Sequence, residues 1–358
     1  MLLSYSKAKV VTIEEEYERV SWIKVKMNNS ISRAINYTDI TGPVKEGDMV
    51  IVNTTAVELS LGTGGAHFVL YNYSNESKKL EGKGHIMKLR YTPIQFKVLA
   101  AEEEGSGYHH IFNEFRSLNN YPVIVGSLHS MLGPIAAMLK WFDNKIKINY
   151  LMTDGGALPL AFSNTVRDLK AKKLIDSTIT IGHAFGGDLE CTNIYTGLIA
   201  AKEILKSDVT IVAMGPGIVG TGTKYGFSGI EQGHIIDAVN TLGGQAIIVP
   251  RISFKDARER HFGISHHTRT VLTEIVKTGG KLILPLLEDN KLNILKLQID
   301  KLDIENKYEI IYEYGDDIVN ALSFFQLEVS TMGRDYNNDK EYFKTLGAVG
   351  KFVYKGLK

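Results

Sequence analysis

The sequence contains a single cysteine, Cys191, among its 358 residues. One thiol cannot form an internal disulfide, which fits a reducing compartment, and a lone cysteine is most often a small buried side chain. Long apolar runs are also lacking: no uncharged stretch approaches the roughly 20 residues that a membrane-spanning helix needs. The N-terminus shows no basic stretch followed by an apolar core, as a signal peptide would. We therefore expect a soluble, cytoplasmic protein without a membrane partner.

An excess of charge of either sign is absent as well. Lys and Arg total 41 against 40 for Asp and Glu, and the net charge is +1. Without a net field to hold a polyanion, nucleic acid is not the expected partner. Hydrophobic residues make up 44% and charged residues 23% of the chain, which is typical of globular proteins. At this length we expect two hydrophobic cores.

Residues 20–99 are rich in alternating apolar and polar positions, for example in residues 21–27 and 47–52. This period of two is typical of strands with one buried face. A small β-barrel or β-sandwich is the simplest arrangement, because closure hides the strand edges. Residues 102–107 combine a run of glutamates with two glycines, which indicates an exposed joint between domains. We therefore predict a β-rich domain over residues 1–104.

Beyond this joint, short runs of Val, Ile and Leu alternate with segments of helical spacing. The predicted strands are residues 122–125, 148–152, 178–181, 209–214, 245–249 and 281–287. Short, almost entirely apolar strands are buried on both faces of a parallel sheet. We therefore predict an α/β fold with a larger, mostly parallel, Rossmann-like sheet domain over residues 105–330. Residues 331–358 are predicted to form a C-terminal tail that packs on this domain.

Polar or glycine-rich segments follow four of the predicted strands in succession, at residues 126–130, 153–156, 182–190 and 215–224. Right-handed crossovers bring the carboxyl ends of parallel strands to one edge, where open α/β sheets bind ligands. We expect this edge to carry a group of catalytic residues, namely His129, Asp154, His183 and Asp188. Histidines and carboxylates in one place indicate acid–base chemistry or, with Glu190, a divalent metal. No compact metal-binding spacing is present, so the sequence does not decide whether a metal binds.

The fourth of these segments contains the dinucleotide fingerprint Gly-x-Gly-x-x-Gly at residues 215–220. Its context does not match: the continuation is a poor helix, and no acidic residue for a ribose ends the next strand. NAD is therefore not expected, and the cofactor stays unknown. Thr223 and Lys224 also reverse the order of a P-loop. The remaining alternatives are a flexible loop or an anion site, formed by Gly215, Gly217, Gly220, Thr221, Gly222, Thr223 and Lys224.

A second basic segment covers residues 258–269. Ser265 is a natural N-cap for the helix that follows, which places His266 and His267 in the first helical turn. A positive helix end lowers the pKa of a histidine and attracts anions. Two interpretations stay open for Ser265, His266 and His267: a ligand-binding role, or a capped helix with solvated basic side chains.

The order of four motifs resembles an uncharacterised bacterial family of domains of unknown function. The motifs are Gly-Ser-Leu-His-Ser at residues 126–130, Thr-Asp-Gly-Gly-Ala-Leu-Pro at 153–159, Gly-His-Ala-Phe-Gly-Gly-Asp at 182–188 and Gly-Pro-Gly-Ile-Val-Gly-Thr-Gly-Thr at 215–223. The resemblance covers most of the chain. It implies a bacterial cytoplasmic protein and supplies no activity, cofactor or catalytic residue.

The functional hypothesis is an enzyme that binds a small anionic or phosphate-bearing metabolite at the carboxyl edge of the sheet. Residues 217–224 would hold the anion, and His183 and Asp188, together with His129 and Asp154, would transfer protons or bind a metal. The alternative is a non-enzymatic sensor or self-assembling protein, in which the β-rich domain mediates homo-oligomer formation. The sequence does not separate these hypotheses.

Overall fold

The computed structural model describes residues 3–61 and 65–358. The chain divides into two compact units. The first consists of the described residues up to Lys83 together with Leu89–Phe96, and the second of Gly84–Lys88 and Lys97–Lys358.

A closed five-stranded barrel forms the first unit. Its strands follow one another in the order β1-β2-β3-β5-β4, in which β3 and β5 are parallel and the other pairs antiparallel. The elements are β1 (Tyr5–Glu16), β2 (Val20–Met27), β3 (Ser30–Tyr37), the short helix α1 (Thr38–Thr41), β4 (Met49–Asn53), the short helix α2 (Thr55–Glu58) and β5 (Ala66–Asn72). The predicted small β-barrel or β-sandwich is confirmed, and it is the barrel.

Irregularities in β1 allow the barrel to close. The register of β1 against β2 shifts between Val10 and Thr12 and again between Ile13 and Glu15. Each bulge bends the strand and increases its twist, so that one long strand pairs with β2 at one end and β4 at the other. The alternate side chains point inward and are fully buried, as at Ile23.

An eight-stranded, wholly parallel sheet forms the centre of the second unit. After β6 (Ile86–Lys88), β7 (Phe96–Val98) and helix α3 (His109–Glu114), its strand order is β11-β10-β9-β12-β8-β13-β16-β17. The strands are β8 (Pro122–Val125), β9 (Ile148–Thr153), β10 (Ser177–Ile181), β11 (Leu189–Cys191), β12 (Val209–Met214), β13 (Gln245–Ile248), β16 (Gly280–Pro285) and β17 (Tyr308–Glu313). A small antiparallel pair, β14 (Ile252–Ser253) and β15 (Gly263–Ile264), follows β13. The predicted Rossmann-like α/β fold is thus confirmed.

All six predicted strands are present, but the sequence reasoning missed the two edge strands. β11 has three residues, among them the buried Cys191, and is too short to show a pattern. β17 lies at the other edge and carries Glu309 and Glu313 among its apolar residues. An edge strand has one open side and so lacks the continuous apolar run expected of a strand in the middle of a parallel sheet.

Helices cover both faces of the sheet, and each face has its own core. One core contains side chains of α4, α5, α10 and α11, and the other those of α6, α7 and α9. The helices are α4 (Leu132–Phe142), α5 (Asn164–Ala171), α6 (Ile194–Ile199), α7 (Glu231–Thr241), α8 (His266–Thr270), α9 (Asp289–Asp300), α10 (Ile318–Phe324) and α11 (Lys340–Gly356). Both α6 and α8 continue as π-helical turns, Ala200–Ile204 and Val271–Ile275. In the described ranges, no helix is long and apolar enough to span a bilayer.

Candidate functional site

The direction of winding changes around β8, and this opens a crevice. The connection after β8 leads to α4 on one face of the sheet, whereas the connection after the adjacent β12 leads to α7 on the other face. Neighbouring strands whose connections diverge leave a gap beyond their carboxyl ends, and ligands of open α/β sheets bind in such gaps. The topology of the sheet therefore indicates the carboxyl ends of β8, β12 and β13 as the candidate site.

A crevice lies at this position. It is lined by Ser127, Leu128, Ile218, Phe227, Gly229, Gln232, Arg251, His267, Thr268 and Val271. Gln232 is almost fully buried, and its Nε2 donates hydrogen bonds to the carbonyl oxygens of Val125 and Val249 at 2.8 and 3.0 Å. These bonds tie α7 to the ends of two strands and fix the floor of the crevice.

Arg251 brings a cation into this crevice. The residue is only 6% exposed, its backbone N–H donates to Thr268 Oγ1 at 3.0 Å, and its Nη2 donates to Asp256 Oδ2 at 3.1 Å. Asp256 also accepts two hydrogen bonds of 2.9 Å from Arg258 and has Arg334 within 3.9 Å. The bonds from Arg258 hold the pKa of Asp256 well below its usual range. One carboxylate is therefore shared among three guanidinium groups.

Three histidines form a cluster beside Arg251. His261 precedes β15, and His266 and His267 begin α8. The ring centroids are 4.2 to 5.1 Å apart, and one ring nitrogen from each histidine lies within 4.8 Å of the others. Among the residues that the structure describes, this is the one group of three or more His, Cys, Asp or Glu side chains with such an arrangement.

Hydrogen bonds fix one part of this histidine cluster and leave another part unpaired. His261 Nδ1 lies 2.8 Å from Ser265 Oγ, which also accepts the N–H of His267 at 3.3 Å. The predicted N-cap at Ser265 is thereby confirmed. The ring of His267 stacks on Phe227 at a centroid distance of 3.9 Å. His266 Nε2 is buried and has no hydrogen-bond partner in the described residues, an arrangement that proteins seldom tolerate without a reason.

The three imidazoles are neutral near pH 7. Burial lowers the pKa of His261 to about 3 and that of His267 to about 4, and it also lowers the pKa of His266. Nearby arginines, Arg251 among them, act in the same direction. The lowered pKa expected for His266 and His267 is therefore confirmed, but burial and not the helix end is its main cause. A neutral imidazole keeps one nitrogen lone pair for a ligand.

His129 belongs to a second, closed group. Its Nε2 lies 2.7 Å from Ser163 Oγ and its Nδ1 3.2 Å from the hydroxyl of the fully buried Tyr150. Ser163 also caps α5 by accepting the N–H of Val166 at 3.0 Å. Burial lowers the pKa of His129 to about 4. Both ring nitrogens already have protein partners.

Asp154 lies where the loops after β9 and β10 meet. A Cβ atom at Gly182 would lie 2.5 Å from Asp154 Oδ2, so the two loops touch through a position that only glycine fits, at φ +62°. Asp154 Oδ1 is buried without a hydrogen-bond partner among residues 3–61 and 65–358. His183, the neighbour of Gly182, is partly buried in the same loop.

Glu231, the first residue of α7, adds a second carboxyl group to this region. It accepts a hydrogen bond from Thr153 Oγ1 at 2.5 Å. Burial raises the pKa of Glu231, and the charge of Asp154 adds to the effect.

Asp188 lies near the amino-terminal end of β10, away from the carboxyl ends of the strands. Its expected place beside the other predicted residues is therefore wrong. It accepts hydrogen bonds from the N–H and hydroxyl of Thr178 at 2.8 and 2.9 Å and pairs with Lys170 at 2.7 Å. Thr178 is near the start of β10. The chain after β10 turns back along that strand, because β11 must begin beside Ile179 to pair with it in parallel. Glu190 in turn accepts from Thr180 Oγ1.

The glycine-rich loop forms a turn of its own and contributes one wall of the crevice. Gly220 pairs with Phe227, the Thr221 N–H donates to Gly226, and the hydroxyls of Thr221 and Thr223 lie 3.0 Å apart. Lys224 is exposed and pairs with Glu274 at 2.7 Å. Helix α7 begins only at residue 231, so the turn residues, including Gly215, Gly217 and Gly222, are not at a helix start. Ile218 is the loop residue that lines the crevice.

The structure therefore brings His267 to Arg251 and His261, which the sequence reasoning did not select as site residues. Arg251 follows the fifth predicted strand almost directly, and that position was an available signal for it. His261 had no comparable signal, since only the pairing of β14 with β15 returns it to the start of α8. His129, Asp154, His183, Asp188 and Glu190 contribute to no group of metal-ligand geometry within the described part of the chain.

The chain matches a protein family over most of its length. The model of a family of proteins of unknown function, DUF3866, matches residues 33–350. The chain belongs to this family. The match covers the later strands of the barrel and the entire parallel sheet, and it confirms the resemblance to a family of unknown function. No curated protein matches the chain. The bacterial and cytoplasmic origin stays a prediction.

Proposed function

We propose that this member of the DUF3866 family is an enzyme that binds a small anionic or phosphate-bearing metabolite in the crevice at the carboxyl ends of β8, β12 and β13. The observation that carries the proposal is the buried guanidinium of Arg251 in the crevice lining. A buried cation needs a compensating anion, and Asp256 is shared with Arg258. A bound carboxylate or phosphate would supply the missing charge and accept paired hydrogen bonds from Arg251.

The remaining lining of the crevice combines apolar and polar side chains. Ile218 and Phe227 offer apolar contacts, while Ser127 and His267 offer hydrogen-bonding groups. Binding sites for metabolites combine mostly apolar walls with a few polar groups that set orientation. The crevice also lies where the winding of the sheet favours a ligand.

Two carboxyl groups at the carboxyl ends of the strands, outside the crevice lining, support catalysis over simple sensing. Glu231, directly before the lining residue Gln232, has a raised pKa because of burial, and Asp154 Oδ1 lacks a partner in the described residues. Binding alone does not require such groups, whereas proton transfer needs a titratable pair near the ligand. Of the predicted catalytic residues, Asp154 keeps this role in our proposal, with Glu231 as its partner.

The proposal is tested by calorimetric titration of the full chain with phosphorylated metabolites and small carboxylates. For any ligand that binds, Arg251→Gln should weaken binding by about 30-fold or more, because a buried ionic partner is lost. Asp256 keeps Arg258 in this variant, so the fold should survive. Lys224→Ala should change binding by less than about twofold, as expected for an exposed paired lysine.

Two outcomes would contradict the crevice as the binding site. Equal binding by the wild type and Arg251→Gln would show that Arg251 does not bind the anion. Loss of binding in Lys224→Ala would show that the glycine-rich loop binds it instead. Turnover of the bound ligand, abolished by Glu231→Gln with binding intact, separates the enzyme from a sensor. Binding without turnover across the panel would favour the sensor.

A further inference from the structure

We infer that His261, His266 and His267 together bind one divalent transition-metal ion of the zinc type at the wall of the crevice. His267 lines the crevice itself. Three imidazoles are a common ligand set for catalytic zinc, which keeps its fourth position for water or substrate. Imidazole nitrogen also suits iron, cobalt, nickel and copper, so the ligand set fixes the class of metal more firmly than the element.

The spacing of the three rings is close to that of a metal site. Ligand nitrogens around tetrahedral zinc lie about 3.4 Å apart, given Zn–N bonds of about 2.0–2.1 Å. The three ring nitrogens here lie within 4.8 Å of one another, so the widest separation must shrink by about 1.4 Å when the metal binds. The backbone already holds the rings together, because Arg251 accepts the N–H of Ser265 and β14 pairs with β15.

The hydrogen bonds in the described residues leave ring nitrogens of this cluster available for a ligand. If the proton of His261 is on Nδ1, this nitrogen donates to Ser265 Oγ at 2.8 Å and Nε2 keeps its lone pair. Histidine ligands usually donate their second N–H in this way, which sets the tautomer. His266 Nε2 is buried and without a partner among the described residues. A metal ion would satisfy both nitrogens at once.

The surrounding arginines connect the metal to an anion. Arg251, Arg258, Arg260 and Arg269 all lie near enough to the cluster to repel a bare dication, and Asp256 is already paired with Arg251 and Arg258. Three neutral imidazoles leave the full charge of the metal uncompensated, and an anion in the fourth position would offset it. Metal and anion should therefore strengthen each other's binding. This coupling rests on the proposed function, whereas binding of the metal alone does not.

The experiment uses the full chain after removal of metal with a chelator. We expect Zn²⁺, measured by calorimetry, to bind with one ion per chain, and Co²⁺ to give the visible absorption bands of a tetrahedral complex. His266→Ala and His267→Ala should each weaken binding by more than about 100-fold, and Ser265→Ala by about tenfold through loss of the hydrogen bond to His261. Circular dichroism checks that each variant is folded.

His234→Ala is the matched control, because His234 is exposed on α7 and outside the cluster. It should bind Zn²⁺ like the wild type. Absence of Zn²⁺ and Co²⁺ binding by the wild type, or unchanged binding by His266→Ala and His267→Ala, would overturn the inference. Repeating the titration with sulfate present tests the coupling separately. Metal binding without anion binding would count against the proposed function only, and anion binding without metal binding against this inference only.

Discussion

Two side-chain groups that contain histidine lie beyond the carboxyl ends of the parallel strands, and they differ in how the histidine ring nitrogens are bonded. His129 has a protein partner for each nitrogen, Ser163 for one and Tyr150 for the other. In the group of His261, His266 and His267, the Nε2 of His266 has none within the described residues. Burial lowers the histidine pKa in both groups, so pKa alone does not distinguish them.

The number of hydrogen-bond partners of the ring nitrogens thus distinguishes a structural histidine from a candidate ligand. A closed group contributes to folding, because every buried polar atom is paired and removal of one leaves its partners unsatisfied. An open group keeps an unpaired atom at a cost in stability, which is typical of functional sites.

His129→Ala should destabilise the protein by about 2–4 kcal/mol, because it leaves a cavity and removes a partner from Ser163 and Tyr150. His266→Ala should cost less than about 1 kcal/mol, since its Nε2 has no bond to lose. Urea denaturation at pH 7 measures both values. Equal losses in the two variants would contradict the distinction between a closed and an open group.

Acidification should lower the free energy of unfolding through protonation of His129. Its pKa is about 4 in the folded state and 6.5 without burial, so the unfolded chain binds more protons between these values and stability falls as the pH drops from 6.5 to 4. For this residue the loss is roughly 3 kcal/mol at pH 4. The stability gap between wild type and His129→Gln, followed by urea denaturation, should narrow by that amount between pH 7 and pH 4. A constant gap would show that His129 is not neutral in the fold.

Glu231→Gln should stabilise the protein at pH 7, with an effect smaller than the two above. Burial raises the pKa of Glu231, so ionisation costs more in the folded than in the unfolded state and wild-type stability falls as the pH rises past the ordinary glutamate range. Glutamine removes this cost and can still accept the bond from Thr153. The gain should vanish below pH 4 in a thermal unfolding series. Destabilisation at pH 7 would contradict the raised pKa.

Much of the fold is predictable from local pattern. Residues 209–214 and 122–125 are predicted as strands and found with the same bounds, because buried parallel strands are continuous apolar runs between turn residues. The N-cap at Ser265 is equally local, since a hydroxyl before a helical segment satisfies its N–H groups. The alternation in residues 20–99 indicated a barrel or sandwich, and pairing of β1 with β4 decided for the barrel.

The candidate site was predictable only in part, because its members depend on where loops turn. The sequence placed Asp188 beside His183, five residues earlier, but the return of the chain along β10 carries Asp188 to the other edge. It also assigned the anion to Lys224, which the fold pairs with Glu274. Neither the direction of a turn nor the partner in an ion pair can be predicted from the order of residues.

The two-part organisation of the fold, the six inner strands of the parallel sheet and the common direction of their carboxyl ends follow from residue order, through periodicity and the handedness of crossovers. Which side chains meet there depends on tertiary contacts. Arg251 and His261 are ten residues apart and meet near His267 because β14 pairs with β15 and α8 packs back on the loop after β13. Long-range backbone pairing, which no local pattern encodes, fixes the composition of the site.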